Sequence, residues 1–483
     1  VPALKSLVDV RAALIPLLIV GYNIALFLPL IGHGFILDDF VHLCSVVYDP
    51  LRQGLTKANG GPFYAPIAWL SYKLDWMLWG WNPFAFAAIN LTLHISNIIL
   101  LYHLALRLYC SAIAARWAGF GYALLFPANS WAVMWISTRA HLLVTLFYLG
   151  ALIATLWYLR TERHRVIAII AIVLFAALSI FSKECGVTVP WAIALFIFKE
   201  SKTKKYRSIR RLEIIGLFAL LFAVLLLYVG VRGHSGAIPI TFSGNTGYFY
   251  SISPKLLLEH LLRYAWRTFG LLAIMAGAIA LSQYLRGHNN HLKSLMRGDV
   301  RFSVALFSIT IAPYILLPTR SGIYSYLPGI AAALLLGSIA CSLSKSPVIQ
   351  TARANIVTLS PIIIVVIIYS CFTVGHSLRW IKMAGVSASI MDQIVRQQPK
   401  VAPNTLIVLT YNRVENESAF PGSIAWGFPY ALRVIYGDQS IDGTIIHQGE
   451  PYRKKTREIH LVYTRGKNEN PIISPLDEIG GME

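Results

Sequence analysis

Residues 199–231 read KESKTKKYRSIRRLEIIGLFALLFAVLLLYVGV. Seven cations (Lys199, Lys202, Lys204, Lys205, Arg207, Arg210 and Arg211) give way to an apolar run. That run reaches the ~20 residues a helix needs to cross a bilayer. A basic loop beside such a run marks its cytoplasmic end, because short loops rich in Lys and Arg are retained on that side. This one stretch predicts a membrane protein and fixes an orientation.

Working outward, the length rule predicts about eleven spans. They lie at 12–31, 84–106, 113–128, 140–159, 166–182, 187–198, 212–231, 257–285, 302–318, 326–343 and 355–375. With the N-terminus inside, the basic residues fall in alternate gaps: Lys5 and Arg11; Arg107 and Arg116; Arg160, Arg163 and Arg165; the loop above; Arg286, Lys293, Arg297 and Arg301; Lys345 and Arg353. The first run lacks a small-residue cleavage site and reads as an anchor rather than a signal peptide.

Composition agrees. The chain has 483 residues, 56% of them hydrophobic and 13% charged, with mean hydropathy +0.60. A soluble domain carries more charge. The net charge of +20 is dispersed over short loops, so it speaks for loop retention and a lipid-headgroup surface and not for nucleic acid. The five cysteines (Cys44, Cys110, Cys185, Cys341 and Cys371) match no zinc or redox spacing. Cys44 and Cys185 fall on the same, outer side, which leaves a disulfide between them open.

Two outer segments are long. Residues 32–83 carry GFILDDF and then PFYAPIAWLSYKLDWMLWGWNPF, which is too interrupted to span. Trp69, Tyr72, Trp76, Trp79 and Trp81 suit a helix lying at the membrane interface. Residues 232–256 form a Gly-, Ser- and Tyr-rich loop, read either as a substrate-facing lid or as a plain connector. After residue 375 the pattern changes. TLIVLTYN and EIHLVYTRG resemble strands separated by Pro and Gly turns, and GKNENPIISPLDEIGGME reads as a mobile tail. The predicted fold is an α-helical polytopic membrane domain over 1–375 and a small extracytoplasmic α/β or β-rich soluble domain over 376–483.

A few ionisable groups stand in the outer gaps. Asp38 and Asp39 follow GFIL. A carboxylate there can take a proton from an attacking hydroxyl, and its neighbour can orient it or raise its pKa. The pair could also hold a divalent metal, or simply cap a helix starting at Phe40. His42 shares that helix face. Arg139 and His141 stand at an outer helix mouth, against the charge bias, which suggests an anion nearby or merely interfacial charge. Lys183 and Glu184 lie in FSKECGVTVP. They read as a phosphate point charge with its orienting partner, or as a surface ion pair of little energetic weight. Arg320 in LLPTRSGIYSYLPG offers a planar fork for phosphate, and Tyr324 and Tyr326 could bond or stack on a sugar. The alternative is an aromatic belt with one snorkelling Arg. Four distant loops thus send one acid pair and three cation sites to one face.

WISTRAHLLVTLFYLGALIA and FSKECGVTVP resemble the membrane part of the transmembrane and tetratricopeptide-repeat O-mannosyltransferases. LDDF resembles the first outer-loop acid motif of the wider GT-C glycosyltransferases, which include protein O-mannosyltransferases and lipid A aminoarabinose transferases. RSGIYSYLPG resembles the late Arg-x-x-x-Tyr-x-x-Pro segment of that wider group. The resemblance covers about residues 30–335, and it stops where a short soluble domain replaces helical repeats. It implies a polyprenyl-phosphate sugar donor, an inverting transfer, Asp38 as base with Asp39 in support, and Lys183 and Arg320 on the donor phosphate with Arg139 nearby. His42, His141, Glu184, Tyr324 and Tyr326 would line the substrate. The expectation is a bacterial cytoplasmic-membrane glycosyltransferase with its site on the periplasmic or extracellular side. It would use no firmly indicated cofactor, and its acceptor would be a lipid, glycan or protein hydroxyl. Two other readings stand beside it: a lipid-linked sugar transporter or flippase, and a non-catalytic assembly subunit.

Overall fold

The computed structural model describes residues 2–58, 63–125, 127–201, 211–237, 249–284, 300–344, 352–411, 423–447, 450–465 and 471–475. Most of the seven-cation loop, the middle of loop 232–256 and the ends of the expected tail lie outside these. The helices, in chain order, are α1 (Pro2–Phe27), α2 (Asp38–Tyr48), α3 (Leu51–Thr56), α4 (Pro66–Trp79), α5 (Pro83–Tyr109), α6 (Ala112–Ala123), α7 (Ala128–Met134), α8 (Arg139–Arg160), α9 (Arg165–Ser182), α10 (Val189–Ser201), α11 (Arg211–His234), α12 (Pro254–Tyr284), α13 (Val300–Ile315), α14 (Gly329–Ser344), α15 (Ala352–Gln397) and α16 (Phe428–Tyr436). The strands are β1 (Thr405–Tyr411), β2 (Asp442–His447), β3 (Arg457–Arg465) and β4 (Pro471–Pro475).

The chain is a mostly helical, multi-pass membrane protein. Among the described residues, five helices are long and apolar enough to cross a bilayer: Pro83–Tyr109, Ile136–Arg160, Arg165–Ser182, Arg211–His234 and Ile363–Gln397. Each remaining expected span also falls on a helix, and three of these are shorter apolar ones: Pro16–Phe27, Val300–Ile315 and Gly329–Ser342. Helices suit this setting because every internal backbone group is bonded within the segment. In α11 only 17% of the apolar window is buried by protein, so its Leu and Phe side chains present a lipid-like surface.

Contacts divide the chain into two compact units. The first comprises Val1–Pro29, Ile89–Val133 and Thr138–His376. The second comprises Leu30–Ala88, Met134–Ser137 and Ser377–Glu483, so it joins the segment after α1 to the C-terminal residues.

In the helical unit, α8 is the central element. Arg139, Leu142, Val144, Tyr148, Leu149 and Leu156 along it are fully buried. It packs on α9 and α10. The turn between those two helices is tight. A short 3-10 segment, Glu184–Thr188, follows Lys183 and runs into α10, whose second residue is Pro190. Gly186 makes this possible: a Cβ there would lie 2.4 Å from the Ser179 carbonyl oxygen and 2.8 Å from Ile180 Cα.

The second unit holds a four-stranded sheet of order β2-β1-β3-β4. β1 runs parallel to both β2 and β3, and β4 runs antiparallel to β3. TLIVLTY is buried through its first five residues, as a central parallel strand must be. α16 connects β1 towards β2. It starts with Pro429 in its first turn and stops at Gly437, whose φ of 68° gives a left-handed cap. The C-terminal part is therefore α/β. The expected tail contains a strand: PIISP pairs with β3, and the side chains of Gln393 and Gln397 bond its backbone at Pro471 and Ile473. Its flanking prolines and short length hid it from the alternation pattern.

One expectation needs correcting. α4 does carry an exposed apolar face (Leu70, Leu74, Met77, Leu78, Trp79), but Trp69 and Tyr72 are 1% and 2% exposed and belong to the core. The Trp69 indole donates to Ser45 Oγ at 3.1 Å, and the Tyr72 hydroxyl donates to the Ile136 carbonyl at 2.8 Å. Amphipathic aromatic residues suit a membrane surface and a half-polar core equally well, so sequence could not separate the two.

The Gly186 contact is testable. Gly186→Ala should destabilise the protein by about 1–3 kcal/mol, since the clash is with backbone that cannot rotate away. Gly216→Ala in α11, with nothing within 4 Å of the added methyl, should not. Thermal unfolding in detergent compares the two; equal melting temperatures would refute the packing argument.

Candidate active site

The acid pair opens α2 on a strained backbone. Leu37 has φ 46° and ψ −118°, a conformation a branched side chain adopts only at a cost of about 1–3 kcal/mol. Two contacts hold it there. The Leu37 N–H donates to the Ser423 carbonyl at 3.2 Å, and Gly427 packs so closely that a Cβ would lie 2.2 Å from the Leu37 carbonyl oxygen. α2 then runs along α16, and at its far end the Tyr48 hydroxyl donates to the Arg433 carbonyl at 2.7 Å.

The two carboxylates differ in kind. Asp39 is 1% exposed and accepts three hydrogen bonds. The donors are Ile36 N–H (3.0 Å), Ser137 N–H (2.8 Å) and the Ser137 hydroxyl. It pins the chain before α2 to the turn before α8. Asp38 is half-buried and accepts from the indole N–H of Trp426. Of the two, Asp38 is the one with solvent-accessible surface. His42, one turn along from Asp38, stacks on Tyr72 with ring centroids 4.9 Å apart. The oxygens of Asp39 face protein donors, so the pair does not fit a shared metal, and among the described residues no three His, Cys, Asp or Glu side chains gather as a metal site.

In the helical unit the expected residues separate into three groups. His141 stacks on Tyr314 at 6.0 Å and lies against Tyr324 at 6.0 Å, and Tyr314 and Tyr324 stack at 4.4 Å. This aromatic group continues through Tyr264 to His260, where the Arg320 Nε–H donates to His260 Nε2 at 3.3 Å. Arg320 also pairs with Glu259 at 2.8 Å, and Glu259 holds Arg263 at 3.1 Å. On the other flank, the Tyr314 hydroxyl meets the Cys185 thiol, two residues from Lys183. The structure thus links His141, Tyr324 and Arg320, with the Lys183–Glu184 turn adjoining. Lys183 itself pairs with Glu184 at 3.7 Å.

Arg139 and Tyr326 lie elsewhere. Arg139 is fully buried and donates Nε–H to Asn90 Oδ1 at 2.9 Å. Tyr326 is fully buried too. Its hydroxyl meets His94 Nδ1 at 2.8 Å and Asn97 Nδ2 at 3.2 Å, while Tyr122 donates to its carbonyl at 2.9 Å. His94 also meets Asn23 Oδ1 at 3.3 Å. These polar residues sit inside helices that sequence reads as apolar, and their isolation on separate segments gave no warning of the network. All five cysteines are free, which answers the open disulfide.

This geometry can be set beside known proteins. A structural likeness covers 95% of this chain and 97% of ArnT from Cupriavidus metallidurans bound to undecaprenyl phosphate, with TM-score 0.50 and 12% identity. The same protein in its apo state matches over 90% of this chain and 86% of its own, with TM-score 0.50 and 14% identity. The chain shares the fold of this protein. In sequence, 202 residues are 27% identical to the protein O-mannosyl-transferase tmtc2 of Xenopus laevis, which is 40% of this chain and 24% of that relative's length. No family model matches. The likeness thus rests on chain path far more than on residue identity.

The contrast within the acid pair gives a pH test. Burial pushes the Asp39 carboxyl up from 3.8 to about 7, against the pull of its three donors. A carboxyl raised in the folded state binds its proton more tightly there than in the unfolded chain. Its stabilising contribution is therefore complete below pH 3.8 and is lost as pH rises through about 7. The melting temperature should fall across that window, and Asp39→Asn should flatten the slope while lowering stability at acid pH, because an amide N–H then faces a donor. A slope unchanged in Asp39→Asn would reject this account.

Proposed function

We propose that the chain is an integral membrane glycosyltransferase that moves a sugar from a polyprenyl-phosphate carrier to an acceptor hydroxyl, with inversion. The observation that carries this reading is the fold likeness, over 95% of the chain, to a protein solved with undecaprenyl phosphate bound. In this reading the chain crosses the membrane about eleven times with its N-terminus inside, as the charge bias supports. It works on the outer face of a bacterial cytoplasmic membrane.

Asp38 serves as general base. The acceptor oxygen attacks the anomeric carbon as its proton passes to Asp38. The bond from that carbon to the phosphate oxygen breaks, and the carrier leaves as polyprenyl phosphate. Cations preorganised for the leaving phosphate lower the barrier more than cations that must be recruited. Lys183 and Arg320 take that role. Each is already paired with a carboxylate that a phosphate dianion can displace: Arg320 with Glu259 at a partly exposed position where such a pair contributes little, and Lys183 with Glu184 at a more enclosed one over a long 3.7 Å. His141 and Tyr324 line the approach, and Arg139 braces the start of α8 from within. Asp39 fixes the chain that carries Asp38, and His42 and Glu184 orient their neighbours.

The test is purified protein with labelled polyprenyl-phosphate sugars and membrane extract, followed by a search for labelled product. Asp38→Asn preserves an oxygen for the Trp426 N–H and should leave folding intact while lowering turnover by about 10²–10⁴-fold. Lys183→Ala should mainly raise the KM for donor. Full activity in Asp38→Asn rejects the base, and an effect of Lys183→Ala confined to the acceptor rejects the phosphate role.

A further inference from the structure

We propose that Trp426 is the platform on which a sugar ring of the acceptor lies, and that the same indole orients Asp38. The proposal rests on the transferase reading for the role of Asp38 and goes beyond it by naming the acceptor as a glycan or glycolipid.

The short 3-10 turn Ala425–Gly427 leads into α16. Its surroundings are fixed: Ser423, Ile424 and Phe428 are fully buried, and Gly427 is wedged against the Leu37 carbonyl. From this packed turn the Trp426 side chain stands 59% exposed. A large apolar ring left in the open on a closely packed backbone calls for a partner. Its one polar atom is engaged by the Asp38 carboxylate, so the ring is held by its edge with most of its surface uncovered.

The chemistry of such a face is specific. The negative face of an indole attracts the weakly positive C–H groups on the apolar side of a pyranose ring. A tryptophan at a bilayer surface also stands exposed, but there its N–H faces headgroups. Here the N–H is committed to a side-chain carboxylate of this chain, which favours the sugar. The side of the reaction follows from reach. A general base must come within about 2.6–3.2 Å of the hydroxyl it deprotonates, so a ring bonded to Asp38 flanks the acceptor and not the carrier phosphate. A serine or threonine side chain has no ring face to lay on an indole. The acceptor hydroxyl therefore belongs to a sugar.

Two measurements on the full chain in detergent micelles test this. The first is saturation-transfer NMR with methyl α-mannopyranoside, methyl β-glucopyranoside and methyl β-galactopyranoside, and separately with a Ser/Thr-rich peptide. At least one pyranoside should show saturated ring protons with wild type, keep them with Trp426→Phe and lose them with Trp426→Leu, while the peptide shows none. The second is transfer kinetics. Trp426→Leu should raise the acceptor KM by about tenfold or more with donor KM unchanged, as loss of a stacking face does. Trp426→Phe keeps the face but removes the N–H from Asp38, so the acid limb of the pH–rate profile should move to higher pH with acceptor KM little changed.

Pyranoside signals absent from wild type, or intact in Trp426→Leu, overturn the proposal, as does saturation of the peptide alone. A loss confined to thermal stability in lipid nanodiscs, with sugar signals intact, would mark the indole as a bilayer anchor and overturn it too. Sugar binding lost in Trp426→Leu without any labelled product from wild type would sink the transferase reading and leave the platform standing.

Discussion

The position of Asp38 depends on a backbone clamp. Leu37 is held in a left-handed conformation by a hydrogen bond to the Ser423 carbonyl and by the bare α-carbon of Gly427. Neither contact uses a variable side chain, so the clamp tolerates no adjustment in length or angle. Strain of this kind persists only where the surroundings over-determine it, and it concentrates where a group must be aimed. Leu37 immediately precedes the two acids. The clamp sets the direction in which α2 leaves, and with it which carboxylate faces inward. Asp39 is then enclosed by three donors, and Asp38 is turned outward to Trp426.

The helical unit obeys a different logic. Apolar side chains alone give helices in lipid little reason to associate, so buried polar groups supply part of the specificity. Asn23, His94, Asn97, Tyr122 and Tyr326 come from four separate segments and close one network. Arg139 and Asn90 form a second joint. A buried guanidinium demands such a partner, because an unpaired charge in hydrocarbon costs several kcal/mol. These residues act as the fasteners of the bundle. The stacked His141, Tyr314 and Tyr324 lead instead towards Arg320 and the pairs it shares with Glu259.

Sequence conveyed the helical layout well, because long apolar runs and alternating basic gaps are signals that tertiary packing rarely overrides. LDDF was readable as an acid pair at a helix start, though the different surroundings of the two acids were not: the enclosure of Asp39 depends on Ser137, 98 positions away. Trp69 and Tyr72 matched a membrane surface and turned out to fill a core, since amphipathic rings serve both. PIISP was too short and too proline-bounded to announce a strand. Trp426 was invisible for another reason. Nothing in the neighbourhood of AWGFP marks that tryptophan, and its meaning lies wholly in what it touches.

The bond between Trp426 and Asp38 joins residues 388 positions apart. The indole is therefore synthesised long after the acid it bonds. While the intervening helices enter the bilayer, the nascent polypeptide carries Asp38 without the turn that meets it. The contact closes only when a segment 388 positions downstream has emerged and folded back onto the start of α2.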